Sequence, residues 1–376
     1  MKAMRTVGLF SGIGGLELGL EGAGFETVLL CESWSSAAAV LRHRFDAEIV
    51  GDIRELTALP TADVVTAGFP CTDLSQVGRG MGIHGDESRL VREVFRLIKG
   101  NPPTWLVLEN VPNMLHLHGG AAMHYIAAVL DDFGWNWAYR TVDSRHFGVR
   151  QRRRRVFLVA SPSEDPRGVL FADETLPARR MLADAYGFYW TEGNRGLGWG
   201  AGVTPTLKGG SNLGIPSPPG VWVPKEADGR AIARPSITAG ERLQGFRAGW
   251  TAIVPRTGER WKMVGNAVTV PVARWIGDRL RDPGLPVDVP IQELPPGAKW
   301  PAAASSIDGH RDEWALSERP RAFRARHNLA SLLAAYGSEP LTLKATSGFA
   351  RRLKASRLRA EPGFLAALDA HIEAMS

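Results

Sequence analysis

The chain has 376 residues, of which 44% are hydrophobic and 22% are charged, and this globular composition excludes long intrinsic disorder. Its 2 cysteines exclude a disulfide framework or a four-cysteine zinc site, so we expect a reducing, intracellular environment and no bound metal. Lys and Arg total 45 against 39 Asp and Glu, and the resulting net charge of +6 is only a weak indication of nucleic-acid binding.

Short apolar runs alternate with amphipathic segments from the N-terminus to about Ala160. The predicted strands are Thr6–Phe10, Thr27–Cys31, Val64–Ala67, Leu106–Leu108, Trp135–Val142 and Val156–Ala160. The predicted helices between them are Leu16–Gly22, Ser35–Phe45, Arg89–Lys99 and Ala121–Phe133. This alternation predicts an α/β fold with a doubly wound, mostly parallel sheet, in which ligands bind at the carboxyl ends of the strands.

The composition changes after Ala160. Residues 161–233 are rich in Gly, Pro and single aromatic residues, which predicts a smaller, loop-rich domain. Helical patterns return at Thr238–Phe246 and Val268–Leu280, and a Pro-rich connector then leads to a basic helical segment at Leu316–Met375. The predicted domains are residues 1–160 together with about 262–281, residues 161–261, and a C-terminal extension over residues 282–376.

The first predicted strand ends in a glycine turn, Phe10-Ser11-Gly12-Ile13-Gly14-Gly15, which opens a helix. Glycines let the backbone approach a ligand, although such turns also occur for packing alone. Glu17 stands where the dinucleotide-binding fingerprint needs a small residue, and a pyrophosphate would meet its carboxylate. The turn therefore argues against a nicotinamide-dependent oxidoreductase.

Two acidic residues follow the glycine turn at the ends of strand-like segments. Glu32 ends the second predicted strand, with Trp34 as a possible stacking surface, and Asp52 precedes the apolar Ile53. Either acid can be a helix cap. Together, with no phosphate-binding lysine nearby, they favour a nucleoside without phosphates, with Glu32 at the ribose and Asp52 and Ile53 at the adenine.

Cys71 differs from the other cysteine, Cys31, which lies inside an apolar run and is expected to be a small buried hydrophobe. Cys71 follows Pro70 at the exit of a predicted strand. It begins a polar, glycine-rich loop that includes Ser75 and Gln76. A thiol in such a loop is accessible, so Cys71 is a candidate nucleophile.

Glu109 follows the next apolar strand and is a candidate general acid, with helix capping as the alternative. Further on, the run Gln151-Arg152-Arg153-Arg154-Arg155 leads directly into the strand Val156–Ala160. Strand alternation through this run would put Arg153 and Arg155 on one face. A solvated charged turn is the alternative, but the position beside a core strand favours a functional role.

In order and spacing, these motifs resemble those of the DNA cytosine-5 methyltransferase family. The resemblance covers about residues 5–280 and includes Arg234–Phe246 and Gly265-Asn266-Ala267-Val268. Two positions depart from the family pattern. Gly8 stands where the family usually has an acidic residue, and Thr72 stands where it usually has glutamine. Neither departure removes a group that would bond to the reacting base.

The resemblance implies a Rossmann-like class I methyltransferase domain with a target-recognition domain over residues 161–261. It implies S-adenosylmethionine as the methyl donor and double-stranded DNA as the substrate, with the target cytosine flipped out of the duplex. The implied catalytic residues are Cys71, Glu109, Arg153 and Arg155. The implied cofactor-binding residues are Phe10, Ser11, Gly12, Gly14, Gly15, Glu32, Trp34, Asp52, Ile53, Pro70, Asn266 and Val268. The expected DNA-binding residues are Ser75, Gln76, Gln151, Lys208 and Arg234.

Two related functions are alternatives. A non-catalytic DNA-binding relative would be expected to lack Cys71 or Glu109, and both are present. An RNA-modifying relative would carry a Cys-Phe-Thr tripeptide after the arginine run, and this chain has no cysteine beyond Cys71. Methylation of DNA is therefore the favoured function.

We expect a monomeric, cytoplasmic protein of a prokaryote or phage. A cognate restriction endonuclease or another defence system could accompany it without forming a stable complex. No apolar run reaches the ~20 residues of a membrane span, so no membrane contact is expected. We expect the C-terminal extension to pack its apolar face on the catalytic domain and to present its basic face to DNA phosphates, with a purely stabilising surface as the alternative.

Overall fold

The computed structural model describes residues 3–70, 89–175, 183–192, 196–210, 218–226, 231–321 and 326–376. The chain divides into two compact units. The first unit contains Met1–His146, Arg154–Leu176 and Val268–Ala322, and the second contains Phe147–Arg153, Pro177–Ala267 and Phe323–Ser376. Within the described ranges, no helix is long and apolar enough to cross a membrane.

The strands and helices are numbered in chain order. The strands are β1 (Met4–Leu9), β2 (Phe25–Cys31), β3 (Glu48–Val50), β4 (Val64–Ala67), β5 (Trp105–Asn110), β6 (Asn136–Asp143), β7 (Arg154–Ser161), β8 (Tyr186–Phe188), β9 (Gly200–Ala201), β10 (Gly220–Trp222), β11 (Ile232–Pro235), β12 (Ile291–Glu293), β13 (Ala303–Ile307), β14 (His310–Trp314) and β15 (Ser338–Pro340). The helices are α1 (Gly15–Gly22), α2 (Ser35–Arg44), α3 (Arg89–Gly100), α4 (Ala121–Asp132), α5 (Arg167–Leu170), α6 (Ile237–Leu243), α7 (Thr257–Asn266), α8 (Val270–Arg281), α9 (Leu329–Tyr336), α10 (Leu343–Lys354) and α11 (Phe364–Met375).

The first unit is built on a ten-stranded sheet in the order β12-β14-β13-β6-β7-β5-β4-β1-β2-β3. The strands from β3 to β5 in this order are parallel to their neighbours, and β7, β6, β13, β14 and β12 continue the sheet in antiparallel pairs. The central strands β4 and β5 are buried at every residue, as expected of a sheet covered on both faces. The predicted doubly wound α/β fold is confirmed.

Helix α8 belongs to the first unit, although it follows residues 177–267 of the second unit in the chain. It packs against α1, where a Cβ atom at Gly19 would lie 2.4 Å from the Cβ of Ala273. A Cβ atom at Gly277 would likewise lie 2.8 Å from the Cβ of Ala23. This last part of the first unit begins at Val268, because α7 belongs to the second unit. The boundary therefore differs slightly from the predicted one at about residue 262.

The second unit contains a five-stranded antiparallel sheet in the order β15-β11-β10-β8-β9. Its strands are only two to four residues long, so they bury little apolar surface among themselves. The core of this unit joins Phe188 and Trp222 from the sheet with Phe349 and Phe364 from α10 and α11. Helices from the C-terminal segment therefore complete the core of the loop-rich unit.

The prediction of a separate extension over residues 282–376 is wrong. Residues 282–322 belong to the first unit, where β12, β13 and β14 widen the large sheet. Residues 323–376 belong to the second unit, and their apolar face packs on the short strands of that unit. The physical reason is burial: the aromatic side chains of the short strands need the apolar faces of α10 and α11 to exclude water.

Candidate active site

The glycine turn after β1 has a left-handed backbone at three positions. Gly12 has φ 57° and Gly14 has φ 79°, which glycine adopts without cost, but Phe10 also has φ 55°. A bulky residue in this region is strained, and such strain is typically retained at functional sites. The amide of Ser11 donates to the carbonyl of Cys31 at 3.1 Å, which ties the turn to the end of β2.

Glu32 lies beside this turn. Its Oε2 accepts a hydrogen bond from the amide of Gly12 at 2.8 Å, and its Oε1 accepts one from the amide of Trp34 at 2.7 Å. Burial raises the pKa of Glu32, while these two amides act in the opposite direction. A Cβ atom at Gly12 would meet no atom of the described residues within 4 Å. The open space at Gly12 therefore lies next to the carboxylate of Glu32, which is held in a fixed position. This arrangement fits the ribose of a nucleoside.

Asp52 caps the 3₁₀ turn Ile53–Glu55, and helix capping was the alternative role that the sequence left open for this acid. Its side chain accepts a hydrogen bond from the amide of Arg54 at 2.9 Å and pairs with the Arg54 guanidinium at 2.5 Å. These contacts with Arg54 lower the pKa of Asp52. Ile53 is buried in the core of the first unit. The adenine contacts of Asp52 and Ile53 remain predictions.

The two cysteines occupy different parts of the chain, and only Cys31 belongs to the described residues. It is buried on β2, and burial raises the pKa of its thiol to about 12, which confirms a small buried hydrophobe. Cys71, Ser75 and Gln76 lie outside the described residues. Pro70 is the last described residue before them and is exposed.

Glu109 and Arg155 come together at the carboxyl end of β5. Arg155 is the second residue of the neighbouring strand β7, and its Nε lies 3.0 Å from Oε1 of Glu109. Their side chains are only 9% and 15% exposed, so the pair is largely shielded from water. A carboxyl group and a guanidinium placed in this way can together bind a heterocycle that presents a ring nitrogen and a carbonyl oxygen.

Asn110 has a structural part in the site that the sequence analysis did not assign to it. Its Nδ2 donates to the carbonyl of Phe69 at 3.1 Å, and its Oδ1 accepts from the amide of Val111 at 2.8 Å. Asn110 thereby holds the backbone two residues before Cys71 against β5. The only sequence signal was its place after Glu109, because a contact with a residue so far back in the chain has no local pattern.

Arg153 does not have the predicted catalytic placement. It is 1% exposed, and its guanidinium donates to the carbonyls of Leu207 and Gly265 at 3.1 Å and of Ala267 at 2.8 Å. All of these residues belong to the second unit. Strand β7 begins only at Arg154, so the predicted alternation that paired Arg153 with Arg155 does not apply. Arg153 cross-links backbone segments of the second unit.

Gln151, one of the expected DNA-binding residues, is also buried in the second unit. It is 0% exposed, its Nε2 donates to the carbonyl of Leu243 at 3.1 Å, and its Oε1 accepts from the amide of Leu207 at 2.7 Å. Gln244 lies in the segment Arg234–Phe246, which contributes to the family resemblance. Its Nε2 donates to the carbonyls of Val264 and Ala267 at 2.8 and 3.0 Å. Gln151 and Gln244 are themselves hydrogen-bonded at 3.0 Å and join three segments of the unit.

The other expected DNA-binding residues have partners within the second unit. Lys208 pairs with Glu192 at 2.7 Å and lies 4.3 Å from the centre of the Tyr189 ring. Arg234 on β11 pairs with Glu339 on β15 at 2.6 Å. The side chains of Lys208 and Arg234 are each more than a third exposed, so contact with DNA remains a prediction for both residues.

Two predicted cofactor residues fall in different units. Asn266 ends α7 in the second unit and is exposed, and Val268 begins the last segment of the first unit and is buried. Their contacts with the cofactor remain predictions. Within the described part of the chain, no group of three His, Cys, Asp or Glu side chains is placed to hold a metal ion.

Comparison with known proteins gives consistent matches. A family model described as C-5 cytosine-specific DNA methylase matches residues 4–181. Type II methyltransferase M2.BsuMI of Bacillus subtilis (strain 168) is 46% identical over 319 residues, which cover 80% of this chain and 81% of that protein. Type II methyltransferase M.HaeII of Haemophilus aegyptius is 26% identical over 305 residues, or 73% of this chain and 92% of that protein.

Solved structures show the same fold at low sequence identity. The S. pombe Dnmt2 methyltransferase aligns with a TM-score of 0.55 and 15% identity, covering 74% of this chain and 98% of that chain. The Entamoeba histolytica methyltransferase EhMeth aligns with a TM-score of 0.54 and 14% identity, covering 75% and 99%. These two similarities concern the fold alone.

Proposed function

The chain belongs to the C-5 cytosine-specific DNA methylase family, and on this basis we propose that it methylates carbon 5 of a cytosine in a specific sequence of double-stranded DNA. The methyl donor is S-adenosylmethionine, and the cytosine is flipped out of the duplex to reach the enzyme. The observation that carries the proposal most directly is the Glu109–Arg155 pair, which lies beside the backbone that leads to Cys71.

The reaction has to activate carbon 5, which is a poor nucleophile in cytosine. The thiolate of Cys71 forms a bond to carbon 6, and the electron pair of the 5,6 double bond moves to carbon 5. Glu109 donates a hydrogen bond or proton to ring nitrogen 3, where negative charge develops. Arg155 orients Glu109 and binds the carbonyl oxygen of the base.

S-adenosylmethionine, when bound, supplies the methyl group that carbon 5 takes. A base then removes the proton from carbon 5, and the electron pair of that C–H bond re-forms the double bond and expels the thiolate of Cys71. The glycine turn, Glu32 and Trp34 would hold the nucleoside part of the cofactor. The orphaned buried oxygens beside the turn, Ser11 Oγ and Glu17 Oε2, fit a ligand that carries further polar groups.

The second unit is proposed to read the DNA sequence. It is carried on a sheet of short strands with long connecting segments, and base reading by loops on a scaffold is a common arrangement. Relatives named Type II methyltransferases support a role beside a restriction endonuclease of the same specificity. In that role the enzyme acts without a stable complex with the nuclease.

Bisulfite sequencing tests the proposal directly. DNA is incubated with the purified protein and S-adenosylmethionine, and cytosines in one short sequence should resist conversion. Cys71→Ser should leave every cytosine convertible, since an alcohol is a far weaker nucleophile than a thiolate. Methylation of RNA but not of DNA, or undiminished methylation by Cys71→Ser, would contradict the proposal.

A further inference from the structure

A carboxylate occupies the space beside strand β1 at Gly8. A Cβ atom built at Gly8 would lie 2.3 Å from Oε1 of Glu17 and 2.7 Å from Oγ of Ser11. Glu17 belongs to the first turn of α1. The Glu17 side chain therefore reaches back under the glycine turn into the place that a side chain from position 8 would take.

The Glu17 carboxyl group is almost completely removed from water. It is 1% exposed, and Oε1 accepts a hydrogen bond from Oγ1 of Thr66 at 2.8 Å. Within the described residues, Oε2 is buried without a hydrogen-bond partner, and so is Oγ of Ser11. Buried polar oxygens that lack partners are rare in folded proteins, because each forfeits its bonds to water. Two such atoms beside the strained turn indicate that a ligand completes the site.

The surroundings of Glu17 hold negative charge. Burial is the main cause that raises its pKa to about 7, and the charges of Glu21 on α1 and Glu32 after β2 act in the same direction. Hydrogen bonds from the backbone amide of Glu17 itself and from Thr66 on β4 act in the opposite direction. Helix α8 also packs on α1, and its Arg274 lies beside Gly22, but among the described residues only the two acids act on Glu17 by charge. A cationic ligand bound there would therefore serve as the counter-ion of the Glu17 carboxylate.

We propose that Glu17 faces the cationic methionyl portion of S-adenosylmethionine and takes the part of an acid that β1 lacks at position 8. This inference rests on the proposed function, which makes S-adenosylmethionine the cofactor. The cofactor carries two cationic groups, the sulfonium and the methionyl ammonium, next to a nucleoside. Binding of the cation favours the ionised carboxylate, so Glu17 releases a proton to the solvent when the cofactor binds near neutral pH.

Isothermal titration calorimetry with three ligands tests the inference. S-adenosylmethionine has both cationic groups, S-adenosylhomocysteine has only the ammonium, and 5′-methylthioadenosine has neither. Glu17→Gln keeps the shape of the side chain and removes its charge. Glu26→Gln is the matched control for loss of a carboxylate, because Glu26 is an exposed residue of β2.

Glu17→Gln should weaken binding of S-adenosylmethionine about tenfold to hundredfold and leave 5′-methylthioadenosine unchanged. An equal loss for S-adenosylhomocysteine identifies the ammonium as the partner, and no loss for it identifies the sulfonium. The heat of binding to the wild type at pH 7 should change with the ionisation enthalpy of the buffer, and this dependence should shrink in Glu17→Gln. An unchanged affinity, or an equal loss for all three ligands, would overturn the inference.

A second pair of variants tests the position of the carboxylate. Gly8→Asp alone should weaken binding, since its Cβ would approach Glu17 Oε1 to 2.3 Å. In the Glu17→Ala background the same Gly8→Asp change should restore affinity. A double variant that binds no better than Glu17→Ala would show that Glu17 acts through packing. Failure of the wild type to bind S-adenosylmethionine would instead contradict the proposed function itself.

Discussion

The guanidinium of Arg155 and the carboxylate of Glu109 meet at 3.0 Å across the neighbouring strands β7 and β5. The two strands run antiparallel, so the start of β7 lies beside the end of β5. The pair therefore depends on the sheet, and each side chain limits where the other can go. In the proposed reaction, the acid and the oxygen-binding group for a bound cytosine are therefore already in place before the base arrives.

Arg155→Lys should lower the rate of methyl transfer by about 10²–10³, because lysine keeps the charge but lacks the planar fork that orients both Glu109 and the base. Binding of DNA should change little. Single-turnover kinetics with labelled cofactor measures the rate. Arg154→Lys is the matched control, since Arg154 is about half exposed and pairs with Glu318. Equal rates for both variants would contradict a role of Arg155 at the base.

Glu32→Ala should weaken S-adenosylmethionine binding about tenfold or more, because the carboxylate that accepts from the amides of Gly12 and Trp34 is lost along with its proposed contact to the ribose. Asp52→Ala should have a smaller effect, since Asp52 also has Arg54 as its partner. Calorimetric titration measures both affinities. Unchanged affinity in the two variants would be incompatible with the proposed nucleoside pocket.

The stability of the protein should depend on Glu17 between about pH 4.5 and 7. The folded state holds the Glu17 proton up to a pKa of about 7, against 4.5 for an ordinary glutamate, so its contribution to stability is present at low pH and lost as pH rises through 7. Glu17→Gln cannot ionise. Between pH 4.5 and 8, the unfolding free energy of the wild type should fall by up to about 3 kcal/mol relative to this variant.

Urea unfolding at a series of pH values, without cofactor, measures this difference. Glu26→Gln is the control, because Glu26 is an exposed carboxylate of the same unit. A constant difference between the wild type and Glu17→Gln across the pH range would exclude the proposed burial of a neutral carboxyl group.

Phe364→Ala should destabilise the second unit by about 3–5 kcal/mol. Phe364 is 0% exposed and contacts Phe188, Trp199 and Trp222 in the core of that unit. Leu365→Ala, at the next position of α11, is the matched control because Leu365 is 43% exposed and should change stability by only about 0.5 kcal/mol. Thermal unfolding followed by tryptophan fluorescence compares them, and similar melting temperatures would contradict a shared core.

Replacement of Arg351, Arg357 and Arg359 by Gln should weaken binding to target and non-target duplexes alike. These three side chains are exposed on the C-terminal segment, whereas Arg352 donates to the carbonyl of Trp190 at 2.8 Å and is left unchanged. The slope of log affinity against log salt should fall by about 0.9 for each arginine that contacts a phosphate. The matching triple Lys variant keeps the charge and should keep the slope. A Gln variant with the wild-type slope would assign the segment a structural role only.

Local patterns in the sequence were sufficient for the core of the first unit. Runs such as Val64–Ala67 and Leu106–Leu108 are almost entirely apolar because both faces of a central strand are buried, and this requirement is visible in consecutive residues. The glycine turn, Glu32 and Glu109 could also be placed, since each directly follows such a strand. Strand β14 could not be predicted from the sequence, because its residues His310–Trp314 are mostly polar and pair at the outer part of the sheet.

Only the tertiary structure decided what the charged and polar side chains contact. Arg153 and Arg155 are two residues apart in one basic run, yet the first is buried among carbonyls from Leu207 to Ala267 and the second pairs with Glu109. Their partners lie dozens of residues away along the chain, and a residue's own type says nothing about a partner at that distance. The same holds for Phe364, whose burial depends on short strands that have too little apolar surface to form a core without it.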